Sequence, residues 1–180
     1  MKFHDALVYE LIRPTRYGEP TGEIIKLVGS RKIKYQLEET ERFQERATHS
    51  LETLIDYMTP DIVVTRLRPS SDEAPKVVIE VETDVDFDFA KSLRQIKRYK
   101  RITQDVRLVI PKEYEKFAPL YANEGFRVWL WRATRKLECL RCRGITEVEG
   151  PYKLLCKKCQ KYTKHRLVAL ENVEFLQFPT

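Results

Sequence analysis

All four cysteines of this 180-residue chain lie between Cys139 and Cys159. They form two Cys-x-x-Cys pairs, Cys139/Cys142 and Cys156/Cys159, separated by 13 residues. A Cys-x-x-Cys turn aims two thiolates at one point. Two such turns complete a tetrahedral S4 shell, the geometry of structural Zn2+. A segment this short buries too little apolar surface to fold unaided, and metal binding supplies the missing free energy. Disulfides are the competing use of clustered cysteines and depend on an oxidising compartment. The stretch MKFHDALVYELIRP is broken by His4, Asp5 and Glu10, so it lacks the apolar centre of a secretion signal. No apolar run approaches the roughly 20 residues that span a bilayer. The expectation is an intracellular, cytoplasmic protein with no membrane role and a zinc ion on the four thiolates. His165 becomes surplus once four thiolates are in place.

The same segment is basic. Arg141, Arg143, Lys157, Lys158, Lys161 and Lys164 are interleaved with Tyr152 and Tyr162, a mixture suited to a phosphate backbone and an unstacked base. A solvated charged surface or a protein-binding surface is the plainer alternative. Net charge over the whole chain is +6, a moderate electrostatic attraction for nucleic acid. The apolar share of 42% is enough for a real core. The paired knuckles resemble the layout of a zinc ribbon, and the change of texture near residue 134 divides the chain into 1–133 and 134–180.

Upstream, helical and strand periods alternate. Phe43, Ala47, Leu51, Ile55 and Met58 make an apolar stripe at helical spacing, which predicts a helix over 34–58 ended by Pro60. Residues 61–67 and 76–82 read as strands, 90–102 as a helix and 105–111 as a strand. Residues 111–125 read as a helix with Pro111 at its start and Gly125 as its C-cap, and 126–131 as a closing strand. A further strand over 23–29 and an ambiguous LVYELI segment precede them. Strands alternating with helices imply an α/β domain, a mixed sheet flanked by helices.

Carboxylates punctuate two of these strands. Pro60-Asp61 opens the first, and Glu80-Val81-Glu82 ends the second. Side chains alternate across a strand, so Glu80 and Glu82 share a face. Two carboxylates together at a strand end are costly without a cation. With Asp61 they form an oxygen-only donor set suited to Mg2+ or Mn2+, able to serve phosphodiester chemistry. Taken singly, Asp61 is also ordinary turn chemistry, and Glu80 and Glu82 could line a solvated edge. The helix that follows carries Lys91, Gln95 and Tyr99 at i, i+4, i+8 on one face, within the basic run KSLRQIKRYKR.

Pro60-Asp61, then Glu80-Val81-Glu82 after about twenty residues, with Gln95-x3-Tyr99 on the next helix, resembles the PD-(D/E)xK superfamily of restriction-endonuclease-like nucleases, in its RecB-like QxxxY branch. The resemblance covers roughly residues 34–131. It implies that Asp61, Glu80 and the Val81 carbonyl hold a catalytic Mg2+ or Mn2+, and that Gln95 and Tyr99 line the site. The departure is Glu82, which stands where the family has lysine. Glu82 could act as base or ligand, Lys91 could supply the missing cation from the helix, or catalysis could be lost. The resemblance also implies DNA as partner, no small-molecule organic cofactor, and a homodimer in members that cut two strands. Related nucleases that clamp an iron–sulfur cluster place one cysteine upstream of these motifs, whereas all four here lie downstream. The resulting expectations are a divalent-metal-dependent DNA nuclease gripping substrate through its ribbon, a catalytically inactive DNA-binding relative, or a scaffold whose ribbon binds a protein.

Overall fold

The computed structural model describes residues 3–12, 33–37, 60–66, 77–83, 87–101, 103–151 and 155–179. Its elements are α1 (Phe3–Ile12), β1 (Ile33–Leu37), β2 (Ile62–Arg66), β3 (Val77–Val81), α2 (Phe89–Tyr99), β4 (Val106–Pro111), a 3-10 helix (Lys112–Phe117), α3 (Ala118–Asn123), β5 (Arg127–Cys139), β6 (Ile145–Glu149) and β7 (His165–Gln177). Together they make a mixed α/β fold around one curled sheet. The expected strand over 23–29 and most of the expected helix over 34–58 lie outside the described residues.

The start of that helix is corrected. Ile33–Leu37 is a strand, paired antiparallel to β2 from Ile33↔Arg66 to Leu37↔Ile62. The alternation Ile-Lys-Tyr-Gln-Leu already has the period of a strand. LVYELI belongs to α1, where Leu7 and Leu11 stack one turn apart and are fully buried. The expected helix over 111–125 also divides. Pro111 ends β4, a 3-10 turn follows with a kink at Tyr114, and α3 begins at Ala118. The C-cap is Glu124, one residue before the expected Gly125; Gly125 follows it with φ of 79°, the left-handed position just past a helix that favours glycine.

β1, β2 and β3 form an antiparallel meander, and β3, β4 and β5 run parallel. β5 is 13 residues long and serves two neighbourhoods. Residues 127–131 pair with β4, residues 134–138 pair antiparallel with β6, and β7 pairs along the opposite edge from Trp129 to Cys139. β5 therefore crosses residue 134 without a break. The change of texture there reflects a change of neighbours along one strand. Two register shifts, between Arg132 and Thr134 and between Lys136 and Leu137, place the extra residues on β7. Asn172, with φ of 51°, sits in the first of these bulges.

Each face of the sheet has its own core. On one, Leu7, Val8 and Leu11 of α1 cover Ile79, Val81, Val109, Trp129 and Trp131. On the other, Ile96 and Tyr99 of α2 and Ala118 and Tyr121 of α3 cover Val78, Leu108, Ile110, Val128 and Leu130. Strand alternation assigns Val77, Ile79 and Val81 to the α1 side and leaves Val78 and Glu80 facing α2. α2 is sharply two-sided. Asp88 caps it by accepting the Lys91 backbone N–H at 3.0 Å. Ser92, Ile96 and Tyr99 are buried, while Lys91, Arg94, Lys97 and Arg98 are exposed.

Gly150, just past β6, joins the C-terminal strands to the 3-10 helix. Its φ is 70°, and a Cβ there would lie 1.9 Å from Oε1 of Glu113. Gly150→Ala combines a left-handed backbone penalty of about 1–3 kcal/mol with that clash, so thermal unfolding should shift down by several degrees. An unchanged melting temperature would mean that this junction is not packed as described.

Candidate functional site

Asp61 precedes β2 and Glu80 lies on β3, and both are nearly buried, at 8% and 7% exposure. Each carboxylate oxygen has a partner. Oδ2 of Asp61 accepts the Val81 backbone N–H at 2.6 Å. Oδ1 lies 3.1 Å from Nε2 of His4, on the first turn of α1. Oε1 of Glu80 accepts from Nε2 of Gln95 at 2.5 Å, and Oε2 accepts from the Tyr99 hydroxyl at 3.1 Å. Gln95 and Tyr99 also touch each other at 3.2 Å. The i, i+4 spacing on α2 thus places both groups over the strand face that carries Glu80.

Burial holds the Glu80 carboxyl well above the ordinary carboxylate range, and the charges of Asp61 and Glu82 push it further. The Tyr99 hydroxyl and the Asp61 backbone pull weakly the other way. Burial and the Glu80 charge likewise raise Tyr99, so its phenol stays protonated and donates. His4 is raised to about 9, chiefly by its hydrogen bond to Asp61 and against its own desolvation, with Asp5 adding to the effect. A cation already lies beside Asp61 at neutral pH.

Glu82 is half-buried just beyond β3. Its backbone is pinned on both sides: its N–H donates to the Val109 carbonyl at 2.8 Å, and its carbonyl accepts the Trp131 indole N–H at 2.8 Å. The side chain is close enough to raise Glu80 by its charge. Lys91 sits one turn before Gln95 with its side chain exposed, and no hydrogen bond brings it to the carboxylates. Five of the six site residues expected from the sequence therefore share one corner of the sheet, and Lys91 stands at its rim. The residue that sequence reading missed is His4. A lone histidine in an ambiguous N-terminal segment carries no spacing signal, and only the packing of α1 brings it to Asp61. Two acids buried this close together are a costly arrangement, since burial and the neighbouring charges both disfavour ionising Glu80.

The second centre lies at the far end of β5. Seven residues separate Trp131 from Cys139, roughly 26 Å along an extended strand. The four Sγ atoms of Cys139, Cys142, Cys156 and Cys159 lie within 4.8 Å of one another, the only such group of three or more potential ligands among the described residues. Cys139–Cys159 and Cys142–Cys156 are 4.0 and 3.5 Å apart. A sulfur tetrahedron at the Zn–S distance has edges of about 3.8 Å, so the four cysteines could hold a metal ion such as zinc. The two turns repeat one design. The N–H of Arg143 donates to the Cys139 carbonyl and that of Gln160 to the Cys156 carbonyl. Arg143 and Gln160, each directly after the second cysteine, take φ of 58° and 53°. The Thr163 hydroxyl lies 3.0 Å from Sγ of Cys139 and, with backbone donors, lowers that thiol to about 6, whereas burial raises Cys159 to about 11. Such a mixture is resolved by a metal, which binds all four as thiolates.

No family model, curated protein or solved structure matches the chain.

Two outcomes follow from the charges. Glu80 has a folded pKa above its unfolded value, so the metal-free protein loses stability as pH rises above the ordinary carboxylate range. The His4 pairing is fully present below about 6.5 and is lost as pH rises through about 9. Melting temperature without divalent ions should therefore fall from pH 6 to pH 9. Glu80→Gln should raise it at pH 8 by about 3–6 °C and flatten the profile. A variant less stable than wild type at pH 8 would contradict this charge balance. At the other centre, Cys142→Ser should reduce metal content measured by elemental analysis from about one zinc per chain to near zero, with loss of ordered structure in the β6–β7 connection.

Proposed function

We propose that the chain is a divalent-metal-dependent DNA nuclease of the restriction-endonuclease-like kind, with a C-terminal zinc ribbon that helps hold the nucleic acid. The observation that carries this reading is the buried pair Asp61 and Glu80, with Gln95 and Tyr99 hydrogen-bonded to Glu80 from α2. The antiparallel β1–β2–β3 meander followed by parallel β3, β4 and β5 supports it, since Asp61, at the mouth of β2, then lies beside the strand that carries Glu80.

Asp61 and Glu80 would hold Mg2+ or Mn2+. When bound, such an ion acidifies water and offsets the charge that develops on a phosphodiester. The protein's own groups do the rest. Gln95 and Tyr99 fix the orientation of Glu80, and the Val81 N–H fixes Asp61. Glu82, on a backbone held from both sides, receives the proton of the attacking water in place of the lysine found in the family. His4 supplies positive charge beside Asp61, and Lys91 offers an exposed ammonium to a flanking phosphate. Water oxygen forms the new P–O bond as the ester P–O bond breaks.

One observation favours the other reading, a DNA-binding protein that has lost cleavage. Glu82 places a third acid where the family has a base-activating cation. Labelled single-stranded, duplex and branched DNA, incubated with Mg2+, Mn2+ or EDTA, separates the two. Metal-dependent cleavage should fall by about 10²-fold or more in Asp61→Ala and Glu80→Ala at unchanged zinc content. A zinc-loaded wild type that cuts no substrate would select the binding protein.

A further inference from the structure

The end of the C-terminal segment carries features that holding a metal does not require. Tyr162 is 78% exposed, and Leu140, Ile145 and Leu155 are exposed beside the cysteine turns. The backbone gathers these groups into one tip: Leu155 bridges antiparallel to Tyr162, and the Leu140 N–H donates to the Lys164 carbonyl at 3.1 Å. Charge surrounds them. Arg141, Lys157, Lys158, Lys161 and Lys164 have no ion pair among the described residues, whereas Arg143 and Arg166 are both held by Glu138. No acidic residue occurs between Glu149 and Glu171. A zinc ion on four thiolates carries a formal charge of −2, which these five cations outweigh.

We infer that this tip binds single-stranded nucleic acid, with Tyr162 stacking on an unpaired base and the lysines of the second cysteine turn holding the flanking phosphates. An aromatic face can stack only on a base that is not already stacked in a duplex. The cysteine turns of the tip sit at the end of the β5–β7 pair, and no helix lies among its described residues to enter a major groove. The lysines at 157, 158, 161 and 164 flank the ring on both sides in sequence, which suits a backbone passing over it. The inference rests on the ribbon half of the proposed function and not on its cleavage half.

Fluorescence anisotropy of the full, zinc-loaded chain, without Mg2+ or Mn2+, tests it. The probes are a labelled oligo-dT single strand and a labelled blunt duplex. The single strand should bind at least tenfold more tightly than the duplex. Tyr162→Ala should weaken single-strand binding about tenfold and leave duplex binding unchanged, while Tyr162→Phe retains wild-type affinity. Replacing Lys157 and Lys161 together by Gln should reduce the slope of log K against log salt by about 1.4. Absence of binding, equal losses on both probes, or a silent Tyr162→Ala at full zinc content would overturn the proposal. Cleavage is read in a separate assay, so a nuclease that fails here loses the tip assignment alone.

Discussion

Two neighbouring buried carboxylates, one at the mouth of β2 and one on β3, cannot both carry charge at low cost unless a cation is supplied, and the N-terminal part of this fold is arranged around that constraint. Asp61 is held by the Val81 N–H and faced by His4. Glu80 is pushed towards its neutral form and held by Gln95 and Tyr99. Burying such groups lowers the stability of the resting protein. That cost is the reason for proposing a divalent ion here; in the structure a histidine beside Asp61 and a raised Glu80 carboxyl offset the charge.

β5 ties this corner to the cysteines. Trp131 holds the Glu82 carbonyl at one end of the strand, and Cys139 begins the thiolate cluster at the other. β7 pairs with β5 from Trp129 to Cys139, and Leu170, Val173 and Phe175 from β7 pack on the same core as α1. The two centres are thus two ends of one sheet. Their separation is set by a regular strand, because the bulges fall on β7.

Much of this was legible from residue spacing. The cysteine pairs and the Gln95–Tyr99 stripe depend on contacts a few residues apart, and the structure places them as the spacing implies. Alternation along β3 correctly put Glu80 opposite Ile79 and Val81. What escaped were features decided at long range. His4 reaches Asp61 only because α1 packs on the sheet. Ile33–Leu37 joins β2 although a helical stripe begins soon after it, and cross-strand pairing decides in favour of the strand. The basic texture after residue 134 gave no hint that β5 continues, because burial there depends on β6 and β7. Pro111 marked a boundary correctly but as the end of a strand, since a 3-10 turn and not an α-helix follows it.

The central claim is that Asp61 and Glu80 form a divalent-cation site. The most direct measurement is isothermal titration of Mn2+ into the zinc-loaded protein at pH 7, in two buffers of different ionisation enthalpy. The account predicts binding with proton release, because a bound cation lowers the raised Glu80 carboxyl towards its charged form, and loss of that signal in Asp61→Asn combined with Glu80→Gln. Binding without proton release, binding that survives in the double variant, or no binding at all would contradict it.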